Sequence, residues 1–495
     1  MADNTEELAL DLPAFLSSMR LNPEADSLRP LVSENLTEIL DDETEEERFA
    51  SILAAIVYNM GEEGEKFDKQ RISDLCAQID QVVNAQLDEI YHDEHFRSFE
   101  GVWRGIDDFY NSVNFSADMD VGLLDVTKEE AFEDLEVNSA DIAGSELFKK
   151  IYVAEYDQYG GQPWGSVVGL FEFDNTPDDL TWLRNMGKVS TVSHAPFVGS
   201  VSPKFFGCQN MEEFNALRDI EGLLNSPRYA RWNALRETEQ AAYLGLTLPR
   251  YMARMPYSDE TNPADGISYN EKVGIEDSSY LWAPCSLLFA RNMARSFESS
   301  GWCQHLRGPK GGGLVERLPG HSLDYRGESV FKTPVEITLP DYKEFALANS
   351  GFIPLIQEKG SNTATFFSAQ SIKRPYFDFK DPKDNENSQL VTNLSYTFSI
   401  TRIAHYLKCI MRDNIGSSAD APYIEKQITD WVSKYVTTIV NPDDLTLRYY
   451  PFKAYSLNVA PVEGRVGWYH CSLNVLPHVQ FEGMDVDLRI DARLG

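Results

Sequence analysis

The sequence predicts a mixed α/β fold: a helical N-terminal segment, central α/β domains, and a C-terminal α+β domain that ends in strands. Three observations predict it. Apolar residues recur at helical spacing from the N-terminus to about Tyr110. Val167 to Phe173 then reads as a buried strand leading through Thr176-Pro177-Asp178-Asp179 into a helix, a βαβ-like pattern. The final stretch from Tyr455 reads as short strands separated by Gly464, Pro477 and Gly483.

Residues 1–66 form the first segment, acidic and with Arg20, Arg29 and Arg48 as the only bases before Met60. Asp11 caps a short helix that has Pro13 near its first turn and Phe15, Leu16 and Met19 as its apolar stripe. Thr44-Glu45-Glu46-Glu47 is a capping box for a second helix, with Phe49, Ile52, Leu53, Ile56, Val57 and Met60 on one face. So small a helical unit buries little by itself, and its stripe is expected to pack on another chain or domain.

Residues 67–380 form the central region. It opens with a long helix from about Asp68, with Ile72, Leu75, Ile79, Val83, Leu87 and Ile90 in register. The continuation carries Phe96, Phe99, Trp103, Ile106 and Tyr110. In the βαβ-like unit, the apolar positions of the helix include Leu180, Leu183, Met186, Val189 and Val192, and Phe197-Val198-Gly199 starts the next strand; such a unit needs a parallel neighbour. Ser258 to Glu271 is expected as an exposed polar loop. The stretch Asp381-Pro382-Lys383-Asp384-Asn385-Glu386-Asn387 is polar and aperiodic, and divides off residues 381–495. There, Tyr396 to Arg412 reads as a helix, with a break from Asn414 to Pro422. The next helix has Ile424, Ile428, Trp431 and Tyr435 on one face, with Glu425, Lys426, Asp430 and Lys434 turned away. Strands follow around Tyr455–Val459, Trp468–Val475, His478–Phe481 and Val486–Ile490.

Composition bounds the function. The chain has 495 residues, 42% hydrophobic and 12% aromatic, enough for real cores and about two to four domains. A formal charge of −34 argues against nucleic acid or an anionic membrane as the main partner, and suits a partner with basic patches. No run of apolar residues is long enough to span a bilayer, and Met1 to Glu7 lacks the features of a secretion signal, so membrane insertion is not expected. The cysteines (Cys76, Cys208, Cys285, Cys303, Cys409, Cys471) show no Cys-x-x-Cys pairing, which favours reduced thiols in a cytoplasm.

The most distinctive run is Gly301-Trp302-Cys303-Gln304-His305-Leu306-Arg307-Gly308-Pro309-Lys310-Gly311-Gly312-Gly313. Glycines beside Arg307 and Lys310 could cradle a phosphate, because backbone amides in a nest bind anions. The spacing fails the P-loop template, since Lys310 precedes the glycines and no hydroxyl follows, so a tight structural turn is the better reading. A single Glu-x-x-His, Glu89 to His92, falls short of the two that a di-iron bundle needs and reads as an exposed helix end. His194 reads as a helix cap and His405 as a packed histidine. Asp174, Asp178 and Asp179 follow a strand and suit helix capping as well as a metal. No catalytic grouping, metal set or cofactor site emerges. One enzymatic alternative stays open: a cytoplasmic α/β enzyme holding a phosphorylated ligand at Arg307 to Gly313.

Several blocks resemble the large subunit of the type VI secretion contractile sheath, the TssC/VipB family. They are Phe99-Glu100-Gly101-Val102-Trp103-Arg104-Gly105, Leu183 to Val189 leading into His194-Ala195-Pro196-Phe197, and Leu235-Arg236-Glu237-Thr238 with Leu246 to Tyr251 and Arg254 to Tyr257. The glycine run, Gly351 to Leu355 with Phe366 to Ser371, and Arg402-Ile403-Ala404-His405-Tyr406-Leu407-Lys408 complete the set. Their order and spacing from about residue 95 to 490 make the match specific. The resemblance implies a structural protein, not an enzyme, in the cytoplasm of a Gram-negative bacterium. It implies heterodimers with a small sheath subunit, stacked with copies of the chain as a helical cylinder around a tube of hexameric rings. That cylinder would grow from a baseplate, contract to drive tube and spike into a target cell, and be dismantled by a hexameric AAA+ ATPase. It further implies Phe15, Leu16 and Met19 as the ATPase handle, and Phe49, Ile52, Ile56 and Met60 as the small-subunit contact. Glu425, Lys426, Asp430 and Lys434 would face the tube, and the strand with Trp468, His470, Ser472 and Asn474 would pair between protomers. A one-component sheath is a third reading, disfavoured by the unburied N-terminal stripe.

Overall fold

A computed structural model describes residues 69–263, 267–274, 277–375, 388–414, 420–439, 442–461 and 469–478. Phe15, Leu16, Met19, Phe49, Ile52, Ile56, Met60, Trp468, the strand at Val486–Ile490 and the boundary at 381–387 lie outside the described residues. The chain divides into two compact units, residues 1–96 with 256–273 and residues 97–255 with 274–495.

In the first unit, helix α1 (Lys69–His92) ends at Asp93, whose carboxylate accepts from the Phe96 N–H at 3.0 Å. The sequence predicts one continuous helix here. The structure breaks it at Asp93, an acceptor that competes for the backbone at a helix start, and helix α2 (Glu94–Ser112) begins anew. The loop expected at the surface is pinned along α1. Tyr269 donates to Asp88 at 3.0 Å, Asn84 donates to the Ser268 carbonyl at 2.8 Å, and Tyr91 packs on Tyr257 at 5.1 Å. His92 lies 3.4 Å from the Glu271 carboxylate and is half-buried, while Glu89 is exposed.

The second unit has a mixed α/β fold around one sheet. Its elements are β1 (Val167–Phe173), α3 (Pro177–Ser193), β2 (Phe197–Val201), β3 (Leu244–Leu248), α4 (Ser286–Ser300), β4 (Leu314–Val315), β5 (Ile353–Gln357) and β6 (Ala364–Phe366). The order across the sheet is β1-β2-β3-β5-β6-β4; the first four run parallel and the last two antiparallel. Alternation along each strand divides the core. Phe197, Val201, Leu244, Leu246 and Leu248 face α3, with Trp232, Phe205 and Phe352 behind them. Val198, Ile353, Leu355 and Phe366 face α4, with Leu287, Phe289 and Phe398. Strands covered on both faces read as continuous apolar runs, which is why β1 and β2 are legible in sequence.

The block Phe99 to Gly105 explains itself here. A Cβ at Gly101 would stand 2.4 Å from the Trp282 carbonyl oxygen, so glycine lets α2 approach that backbone. Glu100 fixes the register, paired with Arg254 at 2.8 Å and Arg104 at 3.3 Å. Phe99 and Trp103 project outward, 65% and 51% exposed.

Candidate assembly interface

The chain continues through α5 (Leu394–Asp413) and α6 (Ala421–Val432) into a hairpin of β7 (Phe452–Pro461) and β8 (Tyr469–Pro477). The two strands pair antiparallel, with Tyr455 opposite Val475, Leu457 opposite Leu473 and Val459 opposite Cys471. Between them alternate Ser456 opposite Asn474, Asn458 opposite Ser472 and Ala460 opposite His470. One face is therefore apolar and the other polar. Among the described residues, the pair gains no third strand beyond a one-residue parallel bridge from Val436 to Phe452. A two-stranded ribbon is marginal by itself, so its support matters.

That support is α6. Asp420 caps it, accepting from the Tyr423 N–H at 3.0 Å, and Ile424, Ile428 and Val432 are buried. The helix continues as a 3₁₀ turn, Ser433–Tyr435, instead of running α-helical to Tyr435. A small core forms from Trp302, Ile403 and Phe452, joined by Leu407, Trp431, Tyr435, Leu473 and Val475. Glu425, Lys426 and Asp430 on α6 and Lys434 in the turn are all exposed. His470, Ser472 and Asn474 are exposed on the polar face of the hairpin, away from the helix.

The glycine run leads into this core. Helix α4 ends at Gly301, whose φ of 76° suits glycine and whose N–H donates to the Phe297 carbonyl. Trp302 then turns inward. Further on, the Gly308 N–H donates to the Phe366 carbonyl at 2.7 Å, Gly313 N–H to the Gly308 carbonyl at 2.9 Å, and Phe366 N–H to the Gly313 carbonyl at 3.0 Å. Two amides that a phosphate nest would aim at an anion are thus used inside the turn. Arg307 is nearly buried while Lys310 is exposed, so the two cations do not share one environment. The tight-turn reading accounts for the run.

The remaining candidates are structural in their contacts. Thr176 caps α3, accepting from the Asp179 N–H, while the Asp179 carboxylate accepts from the Asp174 N–H at 2.6 Å and pairs with Lys128 at 2.7 Å. His194 terminates α3 in the left-handed region, with φ 52°. His405 on α5 lies with Nε2 3.0 Å from the Ser193 carbonyl, against the Tyr156 ring at 4.9 Å. Burial, with smaller contributions from His194, Arg402 and Lys408, outweighs the hydrogen bond to Ser193 and pushes its pKa down to about 4, so it is neutral and donates from Nε2. A half-open cavity of about 1100 Å³ is bordered by Met293 and Phe297 of α4 and by Phe398, Arg402 and His405 of α5. Among the described residues no group of His, Cys, Asp and Glu is arranged to hold a metal ion, and no helix is long and apolar enough to cross a membrane.

Sequence reasoning missed Trp302, Arg402 and Phe452 as one cluster. The available signal was a tryptophan placed directly after a helix-ending glycine, an unlikely place for a ring unless a core receives it.

An α/β domain followed by a helix-backed, unfinished hairpin is an architecture for assembly, and the comparisons agree. Residues 73–373 match the VipB family, described as EvpB/VC_A0108, tail sheath N-terminal domain. Residues 383–494 match VipB_2, described as EvpB/VC_A0108, tail sheath gpW/gp25-like domain. The chain belongs to the VipB tail sheath family and is a structural subunit of a contractile sheath. It is 36% identical over 427 residues to the type VI secretion system sheath protein TssC1 of Pseudomonas aeruginosa, covering 86% of each chain. Among solved structures, it is similar to a chain of the anti-feeding prophage baseplate with a TM-score of 0.39 at 10% identity, over 76% of this chain and 84% of that one. It is also similar to the contracted anti-feeding prophage helical sheath, with a TM-score of 0.29 at 10% identity, over 63% and 67%.

Proposed function

We propose that this chain is the large subunit of a type VI contractile sheath, working in the bacterial cytoplasm. It pairs with a small sheath subunit, and the heterodimers polymerise from a baseplate into a cylinder around a hexameric tube. Contraction drives tube and spike outward, and an AAA+ ATPase then dismantles the cylinder. Residues 1–66 supply the small-subunit contact (Phe49, Ile52, Ile56, Met60) and the ATPase handle (Phe15, Leu16, Met19). Residues 67–380 form the body, and 381–495 carry the tube-facing helix and the exchanged strands. The chain catalyses no reaction.

The observation that carries this reading is the hairpin. A sheet of two strands, apolar on one face, polar on the other and, among the described residues, open along β8, is a site for strand addition. The donor has to alternate in the same way. Within this sequence, Met484, Val486, Leu488 and Ile490 alternate with Asp485, Asp487 and Arg489, the pattern that would extend both faces. A second copy lending this segment gains many main-chain bonds per contact while the bodies stay free to rotate.

The test is negative-stain electron microscopy of the chain alone, with the small subunit, and with the small subunit after deletion of residues 484–491. Hollow cylinders are expected only from the intact chain with its partner. Cylinders from the chain alone would favour a one-component sheath, and dispersed particles in every sample would sink the assembly reading.

A further inference from the structure

Two apolar cores of the C-terminal half are bridged by α5, which places Leu394 and Phe398 in one and Ile403 in the other, and by the turn that carries Trp302. Trp302 is 3% exposed and is the largest buried residue of the small core beneath the hairpin. Its ring meets Phe452, the first residue of β7, edge-on at 5.4 Å, and Tyr435, at the end of the turn after α6, at 5.2 Å. Its backbone is fixed on the other side. The Trp302 carbonyl accepts from Ser296 of α4 at 2.7 Å, and Leu306, four residues on, is wholly buried in the core that packs against the sheet. The Arg402 guanidinium of α5 completes the joint. It lies 4.4 Å from the Phe297 ring centroid, 5.7 Å from that of Trp302 and 5.2 Å from that of Tyr406, and donates to the Tyr406 hydroxyl at 2.9 Å. A planar cation held among three rings resists rotation better than a flexible ammonium would.

We infer that Trp302 and Arg402 are positioning residues that set the angle between the strand-accepting hairpin and the α/β domain, and so the geometry of the polymer, without taking part in strand pairing. The inference rests on the strand-exchange reading of the hairpin. Its physical basis is the size of the joint. Among the described residues, the buried members of that core are Trp302, Ile403 and Phe452, so removing the indole takes away its largest side chain. The hairpin keeps its own register and its helix α6. Strand pairing is local and tolerates a swing of the ribbon, whereas a helical lattice repeats any angular error at every subunit and fails to close. The glycine run thereby gains a function: its turn holds Trp302 rigidly at the end of α4.

The test compares Trp302→Ala, Trp302→Phe and Arg402→Met in the full chain. Amide hydrogen exchange of β7 and β8 reports whether the hairpin is intact, and electron microscopy after co-expression with the small subunit reports the lattice. Trp302→Ala is expected to retain hairpin protection and lose regular cylinders. Trp302→Phe should restore regular cylinders in part, and Arg402→Met should broaden the spread of cylinder diameters. Wild-type cylinders from Trp302→Ala would overturn the inference, as would loss of hairpin protection together with the cylinders, because the ring would then merely support local folding. If Trp302→Ala fails to fold, Trp302→Phe and Arg402→Met decide by the same two readouts. Deletion of residues 484–491 separates the two claims. Regular cylinders from that deletion would sink strand exchange, while the Trp302 variants would still be judged by lattice regularity.

Discussion

The central sheet and the terminal hairpin are made of the same kind of strand and differ in how far the chain finishes them. Phe197 to Val201 is buried at every position because helices cover both faces and strands flank both edges. Tyr469 to Pro477 alternates between half-buried and exposed, with one helix on one face and, among the described residues, no partner along its outer edge. A soluble protein ordinarily blunts such an edge with charge, proline or a covering element. Here β8 offers His470, Ser472 and Asn474, which are polar without being charged in the manner of a protective lysine. The difference teaches that completeness, more than strand content, separates the core-forming strands from the hairpin proposed to exchange partners.

Truncation of the finished core is expected to have the largest effect. Trp232 is fully buried, stacked 5.5 Å from Phe352 and edge-on to Phe205 at 5.0 Å. Trp232→Ala should cost about 3–5 kcal/mol in denaturant unfolding, enough to threaten the fold. Leu457→Ala in the half-exposed hairpin should move the same midpoint by less than about 1 kcal/mol. Equal losses at the two sites would erase the distinction between the regions.

Acid comes next, through the helix that links them. The His405 pKa is pushed down from 6.5 to about 4, chiefly by burial, with Arg402 and Lys408 as cationic neighbours. A depressed histidine favours the folded state in its neutral form. Its contribution is therefore full above pH 6.5, declines as the unfolded chain takes up its proton, and levels off near pH 4. The whole window amounts to about 3 kcal/mol. His405→Gln keeps a donor toward the Ser193 carbonyl and cannot ionise, so it should flatten the fall in stability between pH 7 and pH 4. An unchanged acid profile in His405→Gln would assign the loss to other groups.

What the sequence shows follows the same division. The finished region is legible because double burial makes continuous apolar runs: Val167–Phe173 is read at its observed limits, and the Thr176 cap with Pro177 is where the helix begins. The alternation of the hairpin is legible too, although its strands extend further than the reading, to Phe452 and Pro477. Long-range closure is not legible. The Gly308 to Phe366 bond, the Tyr269 contact that pins the loop to α1, and the cluster of Trp302, Arg402 and Phe452 join residues far apart in sequence, where no local periodicity records the pairing. The break at Asp93 was missed for the opposite reason, since one side-chain acceptor overrode a strong helical pattern.

A smaller effect sharpens the boundary of the rigid body. Gly101→Ala drives a methyl group against the Trp282 carbonyl, a backbone atom that cannot turn aside, and should cost about 1–3 kcal/mol in the same unfolding measurement. A neutral result would mean that α2 can withdraw from this contact, and that the rigid body ends short of it.

The smallest effect belongs to the outer face of α6. Glu425, Lys426, Asp430 and Lys434 are solvent-exposed, so each contact they would make in the proposed tube interface is worth about 0–1 kcal/mol and is screened by salt. Reversing Lys426 and Lys434 to Glu should leave the unfolding midpoint unmoved. It should weaken co-sedimentation of the cylinder with tube rings, more at low salt than at high. Such weakness is mechanically apt: a sheath that must let go of its tube within one contraction cannot hold it through deeply buried anchors. If the double reversal leaves tube binding untouched at every salt concentration, α6 does not face the tube. The unfinished hairpin would then be the functional surface of the C-terminal region, with α6 reduced to its backing.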